Sequence, residues 1–117
     1  MFKELKIGAK SISFLSNGVT PLWYKQIFGK DLLQSLTNGS GDMEIASDKI
    51  PELAFVMAKQ AEKVDMSQLN YNSYMDWLEN FEPLDLVLNS SEIANVYISD
   101  SITAVEPKKK GKGKRNA

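Results

Sequence analysis

Cysteine and histidine are both absent from the 117 residues. Their absence excludes a disulfide framework, a thiolate nucleophile, a zinc finger, and an imidazole acting as base or metal ligand near neutral pH. Any metal would have to be held by oxygen ligands alone. Long apolar runs are missing too: no segment approaches the roughly 18 residues of a membrane span. Residues 1–16 mix charges with apolar side chains, unlike the unbroken run of about 7–15 in a secretory signal. The expected setting is cytoplasmic, with no membrane partner. The Ser-x-x-Lys spacing and the Gly-x-Ser-x-Gly elbow are also missing, which removes the best-known acyl-transfer nucleophiles.

What is present suits one modest globular unit. The chain is 43% hydrophobic and 25% charged. Leu, Ile, Val and Phe supply 31 of the 117 residues, above the level of about 20% below which a chain cannot bury enough apolar surface to order itself. The net charge of -1 conceals two opposite parts. Six of the 14 basic residues are Lys108, Lys109, Lys110, Lys112, Lys114 and Arg115, whereas all 15 acidic residues fall in residues 1–106. The body therefore carries -7 and the tail +6. This pattern predicts a folded domain over 1–106 and a disordered Lys/Gly-rich tail over 107–117, where Ala117 is the sole apolar side chain after Pro107.

Within the body, residues 2–7 and 11–15 flank Gly8-Ala9-Lys10 and alternate at Leu5, Ile7 and at Ile12, Phe14, which predicts a β-hairpin. Thr20-Pro21 reads as a helix start, with Thr capping free N–H groups and Pro in the first turn. Leu22, Trp23, Ile27 and Phe28 are expected to share the buried face of this helix, which stops near Gly29. A turn set over 31–36 precedes a flexible stretch at 37–42, whose Gly39-Ser40-Gly41-Asp42 lacks the Gly-Lys-Ser/Thr of a phosphate loop. Residues 49–64 predict a helix capped by Ser47 or Asp48, with an apolar stripe at Ile50, Leu53, Ala54, Met57, Ala61 and Val64. A helix over about 71–81 places Tyr71, Tyr74, Met75, Leu78 and Phe81 on one side. Asn89 and Glu92 have the spacing of a capping box before a last helix over 92–102. The fold class is α+β, mainly α: an N-terminal hairpin, a compact helical bundle and the basic tail.

The carboxylates Asp76, Glu79, Glu82 and Asp85 recur every three residues, which reads as a solvated helix face rather than a catalytic or metal site. No cofactor, metal or catalytic residue is expected, and the chain does not read as an enzyme. Six cations over eight residues suit non-specific attraction to phosphate backbones. No aromatic is interleaved with them to stack on bases, so specific nucleic-acid recognition is not expected.

Thr20-Pro21-Leu22-Trp23-Tyr24-Lys25-Gln26-Ile27-Phe28-Gly29-Lys30-Asp31-Leu32-Leu33, then a long helix, Tyr74-Met75-Asp76-Trp77-Leu78-Glu79 and a Lys-rich end follow the hairpin in order. In this pattern the chain resembles the tail assembly chaperones of long-tailed bacteriophages of Gram-positive hosts. The resemblance implies a non-enzymatic protein of the host cytoplasm, absent from the mature virion. It implies binding to the tape-measure protein, keeping that protein soluble, and recruitment of tail-tube subunits. It makes Trp23, Tyr24, Phe28, Tyr74 and Trp77 the candidates for partner contact, although each taken singly reads as a core residue, since large aromatics dominate small cores. The acidic body would steer the chain toward a basic client. The alternatives are a small regulatory protein that binds nucleic acid through its basic tail and an adaptor retained in the virion.

The resemblance also implies a short and a longer product made by programmed frameshifting near the end of the first reading frame, this chain being the short one. Lysine codons are AAA or AAG, so the coding sequence for Lys108-Lys109-Lys110 is expected to hold a slippery run of A. Sequencing that shows AAG codons interrupting the run would overturn this expectation.

Overall fold

Phe2–Ile7 forms strand β1 and Lys10–Leu15 forms β2, paired antiparallel with Phe2 opposite Leu15 and Leu5 opposite Ile12. The computed structural model describes residues 1–32 and 47–105, and the side chains only as far as Ile98 in the last helix. The alternation read in the sequence holds: Leu5, Ile7 and Phe14 are buried and Ile12 half-buried on one face. The link is two residues long, with Gly8 at φ 63° and Ala9 outside the left-handed region, a hairpin geometry that favours glycine first. Beyond the strands, the Ser16 N–H donates to the Met1 carbonyl at 2.7 Å, and the Met1 ammonium donates to the Ser16 carbonyl.

Helix α1 spans Thr20–Phe28 and ends at Gly29, which donates its N–H to the Lys25 carbonyl at 2.7 Å and, with a left-handed φ of 71°, turns the chain out of the helix. Its start differs from the expected cap. Val19 is the N-cap and Thr20 is already helical; the Thr20 Oγ1 accepts from the Asn17 N–H at 2.9 Å and donates to Gln60 Oε1 at 2.7 Å. The buried face differs as well. Thr20 and Tyr24 are buried, Trp23, Ile27 and Phe28 are half-buried, and Leu22 is 66% exposed. At 100° per residue Leu22 lies on the far side of the helix from Thr20 and Tyr24, so the polar anchors decide the rotation.

Helix α2, Ile50–Glu62, follows a 3-10 turn at Ser47–Lys49 and carries Pro51 in its first turn. Lys49 is its N-cap and makes no side-chain cap bond, so neither Ser47 nor Asp48 plays the expected part. The expected stripe is also too narrow. Buried residues include Glu52, Phe55, Val56, Ala58 and Gln60 beside Ile50, Leu53, Ala54 and Met57, which leaves Pro51, Lys59, Ala61 and Glu62 as the helix's contact with solvent. The helix stops at Lys63, φ 61°, and Val64 is exposed beyond it. α2 is thus the central element, with β2 on one side and helices on the others.

Asp65 opens a 3-10 turn at Met66–Gln68, its Oδ1 accepting from the Ser67 N–H at 3.1 Å and the Ser67 hydroxyl at 2.6 Å. These two bonds hold the exposed Asp65 carboxyl below the usual carboxylate range. Helix α3, Tyr71–Leu78, starts with a reciprocal capping box: Ser73 N–H to Asn70 Oδ1 at 3.0 Å and Asn70 N–H to Ser73 Oγ at 3.2 Å. The box expected at Asn89 is not made. There the side-chain amide donates to the Asp85 carbonyl at 2.8 Å and the backbone N–H to Val87, so Asn89 closes helix α4, Asp85–Leu88. Helix α5, Ser90–Val105, then sets Ile93, Val96 and Tyr97 into the core. The result is a small α+β domain in which an antiparallel hairpin precedes the helices. No helix among the described residues is long and apolar enough to cross a membrane. The turn set beyond Leu32, the stretch at 37–42 and the basic tail lie outside the described residues.

The turn of the hairpin abuts α4. A Cβ added at Gly8 would lie 2.5 Å from Asp85 Oδ2, in a backbone conformation that L side chains rarely adopt. Gly8→Ala is therefore expected to destabilise the fold by about 1–3 kcal/mol. Gly18→Ala, whose Cβ meets nothing within 4 Å, should change stability by less than about 0.5 kcal/mol. Urea midpoints of the two variants check this, and equal midpoints would refute it.

Candidate functional site

The aromatic candidates form an interior chain rather than an open surface. Tyr24 is fully buried, and its hydroxyl donates to Glu52 Oε1 at 2.6 Å. Lys30 completes this contact, its Nζ lying 2.9 Å from Oε1 and 3.0 Å from Oε2. Both oxygens of the buried carboxylate are thus engaged. Burial pushes the Tyr24 phenol well above the usual tyrosine range, and the bond to Glu52 and its charge add to the shift. Phe28, half-buried, has its ring centroid 5.2 Å from that of Tyr24 and 5.0 Å from that of Tyr74. Phe55 continues the contacts to Tyr74 and Trp77, both at 5.6 Å, and Trp77 meets Phe81 at 4.7 Å. Tyr24, Phe28, Tyr74 and Trp77 are therefore brought together through α2, where they hold α1 and α3 against it. Trp23 sits apart, half-buried against the core.

Exposed apolar surface gathers elsewhere, at α4 and the end of α3. Leu84 and Val87 are each 60% exposed and Leu88 is 77% exposed, while Leu86 alone of this run enters the core. Beside them a groove of about 290 Å³ is walled by Leu78 at the end of α3 and Phe81 just past it, by Pro83, Leu86 and Val87 from α4 and its approach, and by Pro51 from α2. Tyr74 and Glu82 also line it. A hollow of about 50 Å³ continues past Ile50, Pro51, Leu86 and Val87 to Ser90. Tyr71 and Met75, expected on the core side of α3, are exposed. They precede Leu78 by seven and three residues and so extend the apolar surface back along the helix.

The local sequence explains why this surface stays open. Leu84-Asp85-Leu86-Val87-Leu88 spreads four large apolar side chains around little more than one helical turn, and one wall of core can accept only part of that circumference. Asp85 selects which part. Its Oδ2 accepts from the Glu82 N–H at 2.9 Å and its carboxylate stands against the Gly8 turn, which fixes the rotation of α4. The apolar run was the signal for this site, and a reading that looked for helical stripes passed over it.

Glu82 is the charged side chain among those that line the groove, and the stretch of chain that supplies α3 and α4 carries charge of one sign. Between Lys63 and Lys108 there is no Lys or Arg, whereas Asp65, Asp76, Glu79, Glu82, Asp85, Glu92, Asp100 and Glu106 all fall there. Asp76, Glu79 and Glu82 are exposed, as the solvated-face reading expects, and Asp85 is half-buried. No group of three or more Asp or Glu side chains placed to hold a metal occurs among the described residues. The larger hollow, about 330 Å³ between β1 and α5, is lined by Lys3, Glu92 and Asn95 as well as Met1, Leu5 and Val96, and offers no comparable apolar wall. The arrangement at α3 and α4 can bind an apolar surface and can favour a positively charged one. No family model, curated protein or solved structure matches the chain.

Burial pushes the Tyr74 phenol up from 10.0 to about 12, with the charges of Glu52 and Tyr71 adding. The folded protein keeps that proton at a pH where the unfolded chain has released it. The contribution to stability is therefore intact below about pH 10 and is lost as pH rises from there toward 12. Tyr74→Phe is expected to lose less stability than the wild type between about pH 9 and pH 11 in urea titrations. Identical losses would contradict the assignment.

Proposed function

We propose that this chain is a tail assembly chaperone of a long-tailed phage of a Gram-positive host, a non-enzymatic protein that binds the tape-measure protein in the host cytoplasm. In this reading it keeps the tape-measure protein soluble, helps recruit tail-tube subunits and leaves before the particle is complete. The pattern at residues 20–33 and 74–79 brings the family forward, and one observation carries the function. Leu84, Val87 and Leu88 stand exposed beside an apolar groove, in the stretch from residue 64 to 107 whose charged residues are all negative.

A chaperone for a long helical client needs apolar surface that covers the client for a time, and needs to stay soluble while that surface is empty. The acidic residues from 64 to 107 supply the second requirement, since like charges keep copies apart. A nucleophile or cofactor is not required. The buried Glu52, which would otherwise invite a catalytic reading, is already held by Tyr24 and Lys30. The same carboxylates disfavour the regulatory alternative, because they oppose a phosphate backbone approaching the basic tail.

Co-expression of residues 1–117 with a tape-measure protein encoded near it, followed by affinity capture at moderate salt, tests the reading. The tape-measure protein is expected to move into the soluble fraction and to co-purify. A tape-measure protein that stays insoluble and uncaptured would overturn the proposal.

A further inference from the structure

The geometry points to the groove between α3 and α4 as the docking site for a partner α-helix that presents an apolar face flanked by lysine or arginine. This deepens the chaperone reading and rests on it, because it names the chemistry of the client segment. The groove is open, apolar and bounded by α3, α4 and the start of α2, and it holds about 290 Å³, room for a few large side chains of an incoming helix. Helix-in-groove docking uses side chains spaced at i, i+3 or i+4 and i+7 as anchors. The surface that would receive them is laid out at that scale: Tyr74 and Leu78 on α3, Phe81 just past it, then Leu86 and Val87 on α4 line the groove, with Met75 exposed one turn back along α3.

Charge selects the occupant. Glu79 and Glu82 are exposed just past α3, Glu82 lines the groove itself, and no Lys or Arg falls in the chain from residue 64 to 107; Lys49, two residues before Pro51 of the groove wall, has its ammonium bonded to the Asp31 carbonyl. A second copy would set these carboxylates against their equals. The chain's own tail carries six cations but only Ala117 as an apolar side chain, so it matches the rim and leaves the groove empty. Residues 33–46 carry Leu33, Leu36, Met43 and Ile45, but their charged residues are Asp42 and Glu44, the wrong sign for this rim. A helix with an apolar face and basic flanks satisfies both parts.

The test uses the full chain and two synthetic amphipathic helical peptides of about 18 residues with the same leucine face, one flanked by lysines and the other by glutamates. Isothermal titration is expected to show binding of the lysine peptide and at least about tenfold weaker binding of the glutamate peptide. Val87→Gln, at an exposed groove position, should weaken the lysine peptide about tenfold. The Glu79→Lys, Glu82→Lys double variant should remove the preference between the two peptides. Leu22→Gln, equally exposed on the far side of α1, should change neither. Thermal unfolding of each variant shows that the fold is kept.

Equal binding of the two peptides, no binding of either, or an equal effect of Leu22→Gln would overturn the inference. So would self-association of the wild type that Val87→Gln abolishes, which would assign the groove to a second copy. Capture of the tape-measure protein by wild type and Val87→Gln alike would overturn the groove and leave the chaperone reading standing. Lysine-peptide binding at the groove with no capture of the tape-measure protein would do the reverse.

Discussion

A carboxylate buried in the first turn of the central helix sets the terms for everything packed around it. Glu52 faces inward from α2, and a buried charge without partners costs several kcal/mol, roughly. Tyr24 and Lys30, from α1 and the residues just after it, meet it at hydrogen-bonding distance. Two turns further along α2, Gln60 accepts from Thr20 at 2.7 Å and donates to Asn17 at 3.2 Å. The two contacts run in opposite chain directions, so α1 lies antiparallel to α2 with rotation and register both fixed. Phe28 is then delivered to Phe55 and Tyr74, and the aromatic chain carries the order on to α3. Hydrogen bonds to charged groups contribute about 1.5–3 kcal/mol each. Their greater effect here is specificity, since apolar packing alone would allow α1 to roll.

The hairpin and α4 are tied in a second way, by lack of space rather than by attraction. Gly8 has no side chain, its backbone is left-handed, and the Asp85 carboxylate occupies the place where a Cβ would stand. With Asp85 also bonded to the Glu82 N–H, the short helix has one orientation, and in that orientation Leu86 points in while Leu84, Val87 and Leu88 do not. A four-residue helix is ordinarily a poor platform for recognition. This one is braced at both its N-terminus and its flank, which gives the groove a wall of fixed shape.

How much of this could be read in the sequence depends on whether local chemistry or tertiary context decides. The hairpin followed from alternation at Leu5, Ile7 and Phe14, and the stop at Gly29 and the tolerance of Pro21 and Pro51 followed from backbone constraints that hold anywhere. The rotation of α1 did not follow. Leu22 is more apolar than Thr20, and only Gln60, forty residues away, explains why Thr20 faces inward. The same holds for Glu52 and Gln60, which a stripe analysis assigns to solvent until every side of α2 is known to be covered. Asn70 and Ser73 were a readable capping box hidden by a weaker match at Asn89 and Glu92. For the candidate site, aromatic character pointed to Tyr24, Tyr74 and Trp77, which are buried, whereas the most exposed apolar side chains beside the groove, Leu84, Val87 and Leu88, are aliphatic. What distinguished residues 84–88 was an excess of apolar side chains over the core wall available to them.

The contact between Gly8 and Asp85 joins positions 77 apart in the chain. The hairpin is formed from the first fifteen residues, and such local structure closes in microseconds. Its partner in α4 leaves the ribosome only after α1, α2 and α3, at the usual rate of about 5–20 residues per second. The groove therefore takes shape late, after α1, α2 and α3 and with only α5 still to follow, and until then Leu84, Val87 and Leu88 are a plain sticky segment with no defined wall beside them. The turn that recognises Asp85 works as an interlock in time: a finished groove reports that the hairpin and the three helices before α4 are already in place.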